Sequence, residues 1–340
     1  MNPNDIAKSI ASGEWRPNLH LTNVSIAHFQ DQSDFIAGKV FPVVPVRLPM
    51  NKYYKFKKED LARSNVHLKP AFGSVQPAVF SQEEDSYSTE VYQEIIGIDQ
   101  ISSLAYGRAG APGVADPRVA KAKVLAEQLK IFMDQMFANH YFKPGVWSNE
   151  LTGSASTPTA TTFYQFDNAN SDPVKLIDEQ KIQMRKEGLR KPNKLVIGVE
   201  AYIALKQNPT ILDRVKYGGS TANPATVTEN VLAQLFEVEQ VFVVESAHNK
   251  APQGAPDADM EYICDPKGML LCYTTNSPAI DEPSAGYTFT WDMLGNGQWM
   301  AVTNYLGAPA THSEFVEGIC AFDMKQVCPD LAVYFKDCVS

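Results

Sequence analysis

Two extended segments around a turn-rich tip constrain this chain more than any other feature. "NKYYKFKKED" runs from Asn51 to Asp60, after the proline-interrupted stretch "FIAGKVFPVVPVRLP", Phe35 to Pro49. "LARSNVHLKPAFGS" supplies a polar tip with Gly and Pro, and the chain returns through "VQPAVFSQEEDSYSTEVYQEIIGID", Val75 to Asp99. This pattern predicts a long β-hairpin. About a dozen residues per arm would reach roughly 40 Å. A two-stranded ribbon of that length is not stable alone in water. The expectation is that it rests on another subunit, not on its own chain. Pro42, Pro45 and Pro49 remove ladder donors, so the entering segment reads as an edge strand or a tether.

Charge and rings concentrate on this ribbon. The outgoing arm carries Lys52, Lys55, Lys57 and Lys58 among Tyr53, Tyr54 and Phe56, while the returning arm carries Glu83, Glu84, Asp85, Glu90 and Glu94. Lysines beside aromatic rings are one way to grip single-stranded nucleic acid. The chain as a whole has a formal net charge of -9, however, where dedicated nucleic-acid binders show a basic footprint. Acids on the opposite arm offer the lysines partners worth about 0.2–1 kcal/mol each. The hairpin reading therefore stands ahead of the nucleic-acid reading. Glu83, Glu84 and Asp85 read as salt-bridge partners, not as a cation site.

A chain of 340 residues exceeds a typical single core, so two packed units or one elaborated domain are expected. With 44% hydrophobic and 20% charged residues, wholesale disorder is excluded. The start, "MNPNDIAKSIASGEW", has no basic n-region and apolar core, and no apolar run is long enough to cross a membrane. Folding in a cytoplasm is expected. The five cysteines have no CxxC spacing and read as free, buried thiols. Residues 1–38 are thinly apolar, with Trp15 and Phe29 as candidate anchors of an arm that lies on something else. Asp116 to Phe142 is the clearest helix, with Asp116 as N-cap, Pro117 at the first position and Ala122, Leu125, Leu129, Phe132, Met133, Met136 and Phe137 on one stripe. Lys143 to Asp172 reads as an irregular loop or inserted hairpin. A helix is predicted over Pro173 to Glu187, with Gly188 near its end. "NKLVIGVEAYIALKQ" reads as a strand turning into a helix. "EYICDPKGMLLCYTT" reads as two strands around an Asp-Pro-Lys-Gly turn, and strands dominate from Gly286 onward.

The sequence contains no GxGxxG, P-loop, HExxH or GxSxG. The six histidines are scattered. No catalytic site, metal or cofactor is predicted, and the chain does not read as an enzyme.

In order and character, three stretches resemble the major capsid proteins of tailed bacteriophages. These are "FIAGKVFPVVPV…NKYYKFKKEDLAR", "RVAKAKVLAEQLKIFMDQMF" and "PNKLVIGVEAYIALKQNPTILDRVKY". The resemblance implies an α+β fold of the Hong Kong 97 type. It implies an N-terminal arm at 1–38, a peripheral domain over 39–142, an axial domain over 143–284 with an inserted loop at 143–172, and terminal strands 285–340 returning to the peripheral domain. The peripheral domain would hold an extended loop at about 46–95 and a spine helix at 116–142. It further implies self-assembly into hexamers and pentamers of an icosahedral shell enclosing double-stranded DNA, located in the virion, with assembly in the host cytoplasm. A separate scaffolding protein, a portal protein and a decoration protein are the implied partners, and no membrane. Lys52, Tyr53, Tyr54, Lys55, Phe56, Lys57, Lys58, Glu83, Glu84 and Asp85 would make intersubunit contacts through the loop, and Trp15 and Phe29 through the arm. The alternatives are an encapsulin-like nanocompartment shell, or a nucleic-acid-binding protein using residues 52–58.

Overall fold

The computed structural model describes residues 30–99, 117–218, 227–276, 282–291, 300–307 and 312–340, except positions 32, 57, 70, 74–76, 78, 80 and 253. Along the chain these form α1 (Ala37–Val40), β1 (Val43–Val46), β2 (Met50–Phe56), α2 (Lys58–Leu61), β3 (Gln82–Ser88), β4 (Glu90–Asp99) and α3 (Pro117–His140). Then follow β5 (Asn149–Ser154), β6 (Thr162–Tyr164), α4 (Pro173–Glu187), β7 (Lys194–Gly198), α5 (Val199–Gln207), α6 (Pro209–Gly218) and α7 (Glu229–Leu235). The remainder is β8 (Gln240–Val244), β9 (Ala247–Asn249), β10 (Met260–Tyr262), β11 (Met269–Cys272), β12 (Gly286–Trp291), β13 (Met300–Leu306), β14 (Ser313–Gln326) and β15 (Ala332–Lys336). The chain divides into two units, and α3 and β14 each contribute to both.

The smaller unit comprises residues 1–32, 92–130 and 300–320. Its core is Ile98, Leu125 and Val316, with Ile96 and Ala122 packed against them. β13 pairs antiparallel with the first part of β14, Met300 opposite Cys320 and Leu306 opposite Glu314. β4 also pairs with β14. At Gly318 a Cβ would come within 2.7 Å of Leu129 and 2.9 Å of Leu125, so only glycine lets the strand approach the helix this closely. The expected N-cap Asp116, and Trp15 and Phe29, lie outside the described residues.

The larger unit comprises residues 33–91, 131–299 and 321–340. Its main sheet has the order β6-β5-β15-β11-β7-β8. β7 and β8 run parallel, with Lys194 opposite Gln240 and Gly198 opposite Val244. A parallel pair requires a crossover, supplied here by α5, α6 and α7. All five residues of β7 are buried, as expected of a strand covered on both faces. Helix α4 begins where the sequence places it. The Asp172 side chain accepts from the Lys175 amide at 3.1 Å, Pro173 opens the helix, and Gly188 is the C-cap. Such a cap stabilises by about 1 kcal/mol. Val174, Ile177 and Met184 bury its inner face against Leu195, Ile197, Met269, Leu271, Val333 and Phe335.

Two expectations differ from the structure, and a third is met with an unexpected pairing. The Ser/Thr-rich stretch 143–172 is neither loop nor hairpin, since β5 and β6 extend the main sheet as a parallel pair. The segment "EYICDPKGMLLCYTT" does form two strands around a turn, closed by the Gly268 amide donating to the Asp265 carbonyl at 3.1 Å; the two strands join different sheets, β10 pairing with β9 while β11 lies between β15 and β7. The last strand β15, expected to run with the other terminal strands, joins β5 and β11. Its residues Ala332 to Phe335 are all buried, so it needs two covered faces, and the main sheet offers them. The five cysteines are free thiols, four of them buried.

Candidate interaction surface

The ribbon forms, but its paired part is short. β2 and β3 pair antiparallel over seven residues each, from Met50 opposite Ser88 to Phe56 opposite Gln82. Its base rests on its own chain, which corrects the expectation that a neighbour supplies all the support. The ring of Phe289 lies 4.6 Å from Tyr87, stacked, and 5.6 Å from Tyr53. Tyr287 and Val327 complete this cluster. The Ser88 amide donates to Asp323 at 2.9 Å, and Lys58 meets Asp330.

The charges pair across the ribbon, diagonally in the strand register. Lys52 reaches Glu84 at 2.6 Å, and Lys55 reaches Asp85 at 2.7 Å. The Tyr53 hydroxyl donates to Asp85 at 2.8 Å, and the Lys55 ammonium stands 5.4 Å from the Tyr53 ring. Partial burial works against it, yet hydrogen bonds from Lys55 and Tyr53 hold the Asp85 carboxyl below its usual value. Burial, with Asp85 beside it, drives the Tyr53 phenol well above its usual value. These three side chains thus form one local network. Glu83 stands opposite Lys55 in the register. Tyr54 and Phe56 lie in β2 opposite Glu84 and Gln82. Lys57 falls outside the described residues. Lys52, Lys55 and Lys58, which suggested nucleic-acid binding, are engaged by acids of the same chain.

Beyond the paired arms the loop is closed at its neck by Asp60, which accepts from the Ser81 amide at 2.9 Å. Among the described residues above the neck, four large apolar side chains are exposed. Val66, Leu68, Phe72 and Val79 are 88%, 94%, 110% and 85% exposed. Phe72 also adopts a positive φ of 62°, a region L-residues with bulky side chains rarely visit. Exposed apolar side chains concentrated on one loop make it a candidate interaction site.

A second feature, with no local sequence motif, fixes the segment where the first described residues join the larger unit. Helix α1 is held at both ends by buried charges. Asp134 on α3 accepts from the Ala37 amide at 2.9 Å, the Ile36 amide at 3.2 Å and the Ser246 hydroxyl at 2.8 Å. Lys194 on β7 donates to the Lys39 carbonyl at 2.8 Å and the Val40 carbonyl at 2.7 Å. An acid at the amide end and a cation at the carbonyl end both complement the helix dipole. Burial raises the Asp134 carboxyl to about 6, against the pull of its three hydrogen bonds. Burial likewise lowers the Lys194 ammonium. Asp134 lies three and seven residues before Phe137 and Tyr141, both fully buried. An acid on that flank of an apolar stripe was the available signal.

Among the described residues, no group of three or more His, Cys, Asp or Glu side chains could hold a metal. One cleft of about 350 Å³ is lined by Phe163, Asn170, Asp172 and Lys175, among others. Its Asp172 is already committed to capping α4 and to Arg214 at 3.4 Å. No helix among the described residues is long and apolar enough to cross a membrane.

No family model matches the chain. A curated relative, the major capsid protein of Burkholderia phage BcepMu, is 28% identical over 283 residues, covering 79% of this chain and 81% of the relative. Among solved structures, a phage-related protein from Bordetella bronchiseptica RB50 superposes with a TM-score of 0.65 at 21% identity, covering 94% of this chain and 96% of that one. The capsid of cyanophage P-SCSP1u gives a TM-score of 0.52 at 13% identity, covering 87% and 86%. An encapsulin complex from Synechococcus elongatus PCC 7942 gives 0.52 at 11% identity, covering 96% and 97%. The fold is therefore the Hong Kong 97-type capsid fold, and the resemblance to phage major capsid proteins extends to a curated homologue.

Proposed function

We propose that this chain is the shell-forming major capsid protein of a bacteriophage, assembling with its own copies into hexamers and pentamers of an icosahedral particle around double-stranded DNA. The observation that carries the assembly reading is the loop tip. Val66, Leu68, Phe72 and Val79 are exposed along the tip of a ribbon whose base is firmly held, and no described residue buries them. A sister subunit beneath the tip would bury them. Contacts repeated around every subunit reach the several thousand Å² typical of obligate assemblies. In this reading residues 1–38 are an arm carrying Trp15 and Phe29 to neighbours, 39–142 and most of 285–340 form the peripheral domain, and 143–284 form the axial domain. A scaffolding protein, a portal and a decoration protein are the expected companions. The site is the virion, with assembly in the host cytoplasm. The Tyr53–Lys55–Asp85 network and the separate Lys52–Glu84 pair stiffen the loop. No catalytic step is assigned.

The likeness to an encapsulin fold favours one second reading, a cellular nanocompartment shell. Purified particles separate the two. The capsid reading predicts closed particles in negative stain and, when made in a phage-producing cell, nuclease-protected double-stranded DNA. Particles that enclose an enzyme and no DNA support the nanocompartment. A protein that remains a monomer under all assembly conditions refutes both.

A further inference from the structure

The larger unit carries two exposed patches of opposite character at opposite ends of its main sheet. The last turn of α4 and residues 188–191 lead into the start of β7, where Lys194 pairs with Gln240. The β9–β10 hairpin follows the far end of β8, where Val244 pairs with Gly198. A sheet therefore separates them.

At the first end, Ile182 is 71% and Leu189 55% exposed. Arg185 and Lys186 follow Ile182 by one helical turn and Arg190 and Lys191 follow Leu189, all exposed; Arg190 is bridged to Glu282 at 3.5 Å, and the acids near Ile182 are Asp178 and Glu179 one turn before it and Glu187 after it. Leu189 has a φ of 60° directly after the C-cap Gly188. Glycine is the residue favoured at that position, and a side chain there costs about 1–2 kcal/mol. A large apolar residue thus occupies a backbone site that disfavours it and projects into solvent. Observed strain of this kind points toward function. At the other end, Met260 and Tyr262 share one face of β10 and are 63% and 41% exposed. Glu261, on the opposite face, is held by Lys250 at 2.9 Å. Asp257 and Asp259 add exposed carboxylates beside the two apolar side chains.

We propose that the Leu189 patch of one copy receives the β9–β10 hairpin of the next copy, head to tail, Leu189 and Ile182 against Met260 and Tyr262, and Arg185, Lys186 and Lys191 against Asp257 and Asp259. This rests on the shell reading and names a contact within its rings of subunits. A two-fold dimer through either patch would set like charges against each other, which is costly. Two complementary patches at opposite ends make a heterologous contact instead, and that contact closes a ring when the rotation fits.

The test is a chain carrying both Leu189→Cys and Met260→Cys, assembled and then oxidised, beside wild type treated identically. The contact predicts a ladder of disulfide-linked oligomers on a denaturing gel, absent from wild type. In parallel, the Arg185→Glu, Lys186→Glu double variant lowers the assembled fraction about tenfold, and adding Asp257→Lys with Asp259→Lys restores it. Closed particles without the ladder, or full assembly of the double variant, overturn the contact and leave the shell reading standing. Absence of particles from wild type itself overturns both.

Discussion

Replacing Asp134 with Asn removes a buried charge and keeps the side-chain shape, so it tests the anchorage of α1 directly. The carboxyl's ordinary value of 3.8 is raised to about 6 in the fold, chiefly by burial. A raised acid means that the native state holds its proton longer than the unfolded state. Its stabilising contribution is therefore complete below about 3.8 and is lost as pH rises through about 6. The full loss is about 3 kcal/mol, of which about 1 kcal/mol falls between pH 5 and pH 7. Urea unfolding of unassembled protein, followed by circular dichroism, measures this. Wild type should lose about 1 kcal/mol more than Asp134→Asn between pH 5 and pH 7, with the denaturant slope unchanged. Every other titrating group cancels in the comparison. Identical pH dependence in the two proteins would refute the dominance of burial over the three hydrogen bonds at Asp134.

Three further outcomes follow from the packing. Phe289→Ala removes the ring under Tyr53 and Tyr87 and should cost about 3–5 kcal/mol, read as a lowered Tm together with faster tryptic cleavage at Lys52 and Lys55. Gly198→Ala places a Cβ 2.4 Å from the Pro266 carbonyl oxygen, and overpacking against backbone should cost about 1–3 kcal/mol or more in urea titration. Burial pushes the Cys272 thiol up to about 12, so at pH 8 a thiol-reactive dye should label the partly exposed Cys328 first and reach Cys272 only on unfolding.

Elements governed by local physics are legible in the sequence. Helix α4 announces itself through Asp172, Pro173 and Gly188, each acting within its own turn. The opposed lysines and acids of β2 and β3 mark the hairpin, because complementary charge on two nearby segments survives in the sequence. The rest depends on partners far along the chain. Tyr53 and Tyr87 find Phe289 about two hundred residues later, and no local pattern marks Phe289 as their platform. The parallel pairing of β5 with β15 joins a Ser/Thr-rich stretch of low β propensity to the end of the chain, and tertiary context overrides propensity there. The α1 clamp joins Asp134 and Lys194: the flank of the apolar stripe hints that Asp134 is buried, but nothing local names Ile36, Ala37 or Lys194 as parts of the same clamp.

Hydrogen–deuterium exchange of residues 62–79, in the unassembled chain and in closed particles, tests most directly whether the loop tip depends on a sister molecule. Rapid exchange in the unassembled chain with strong protection in particles is the predicted result. Equal protection in both states would mean that the tip finds its cover within one chain, and would contradict the account.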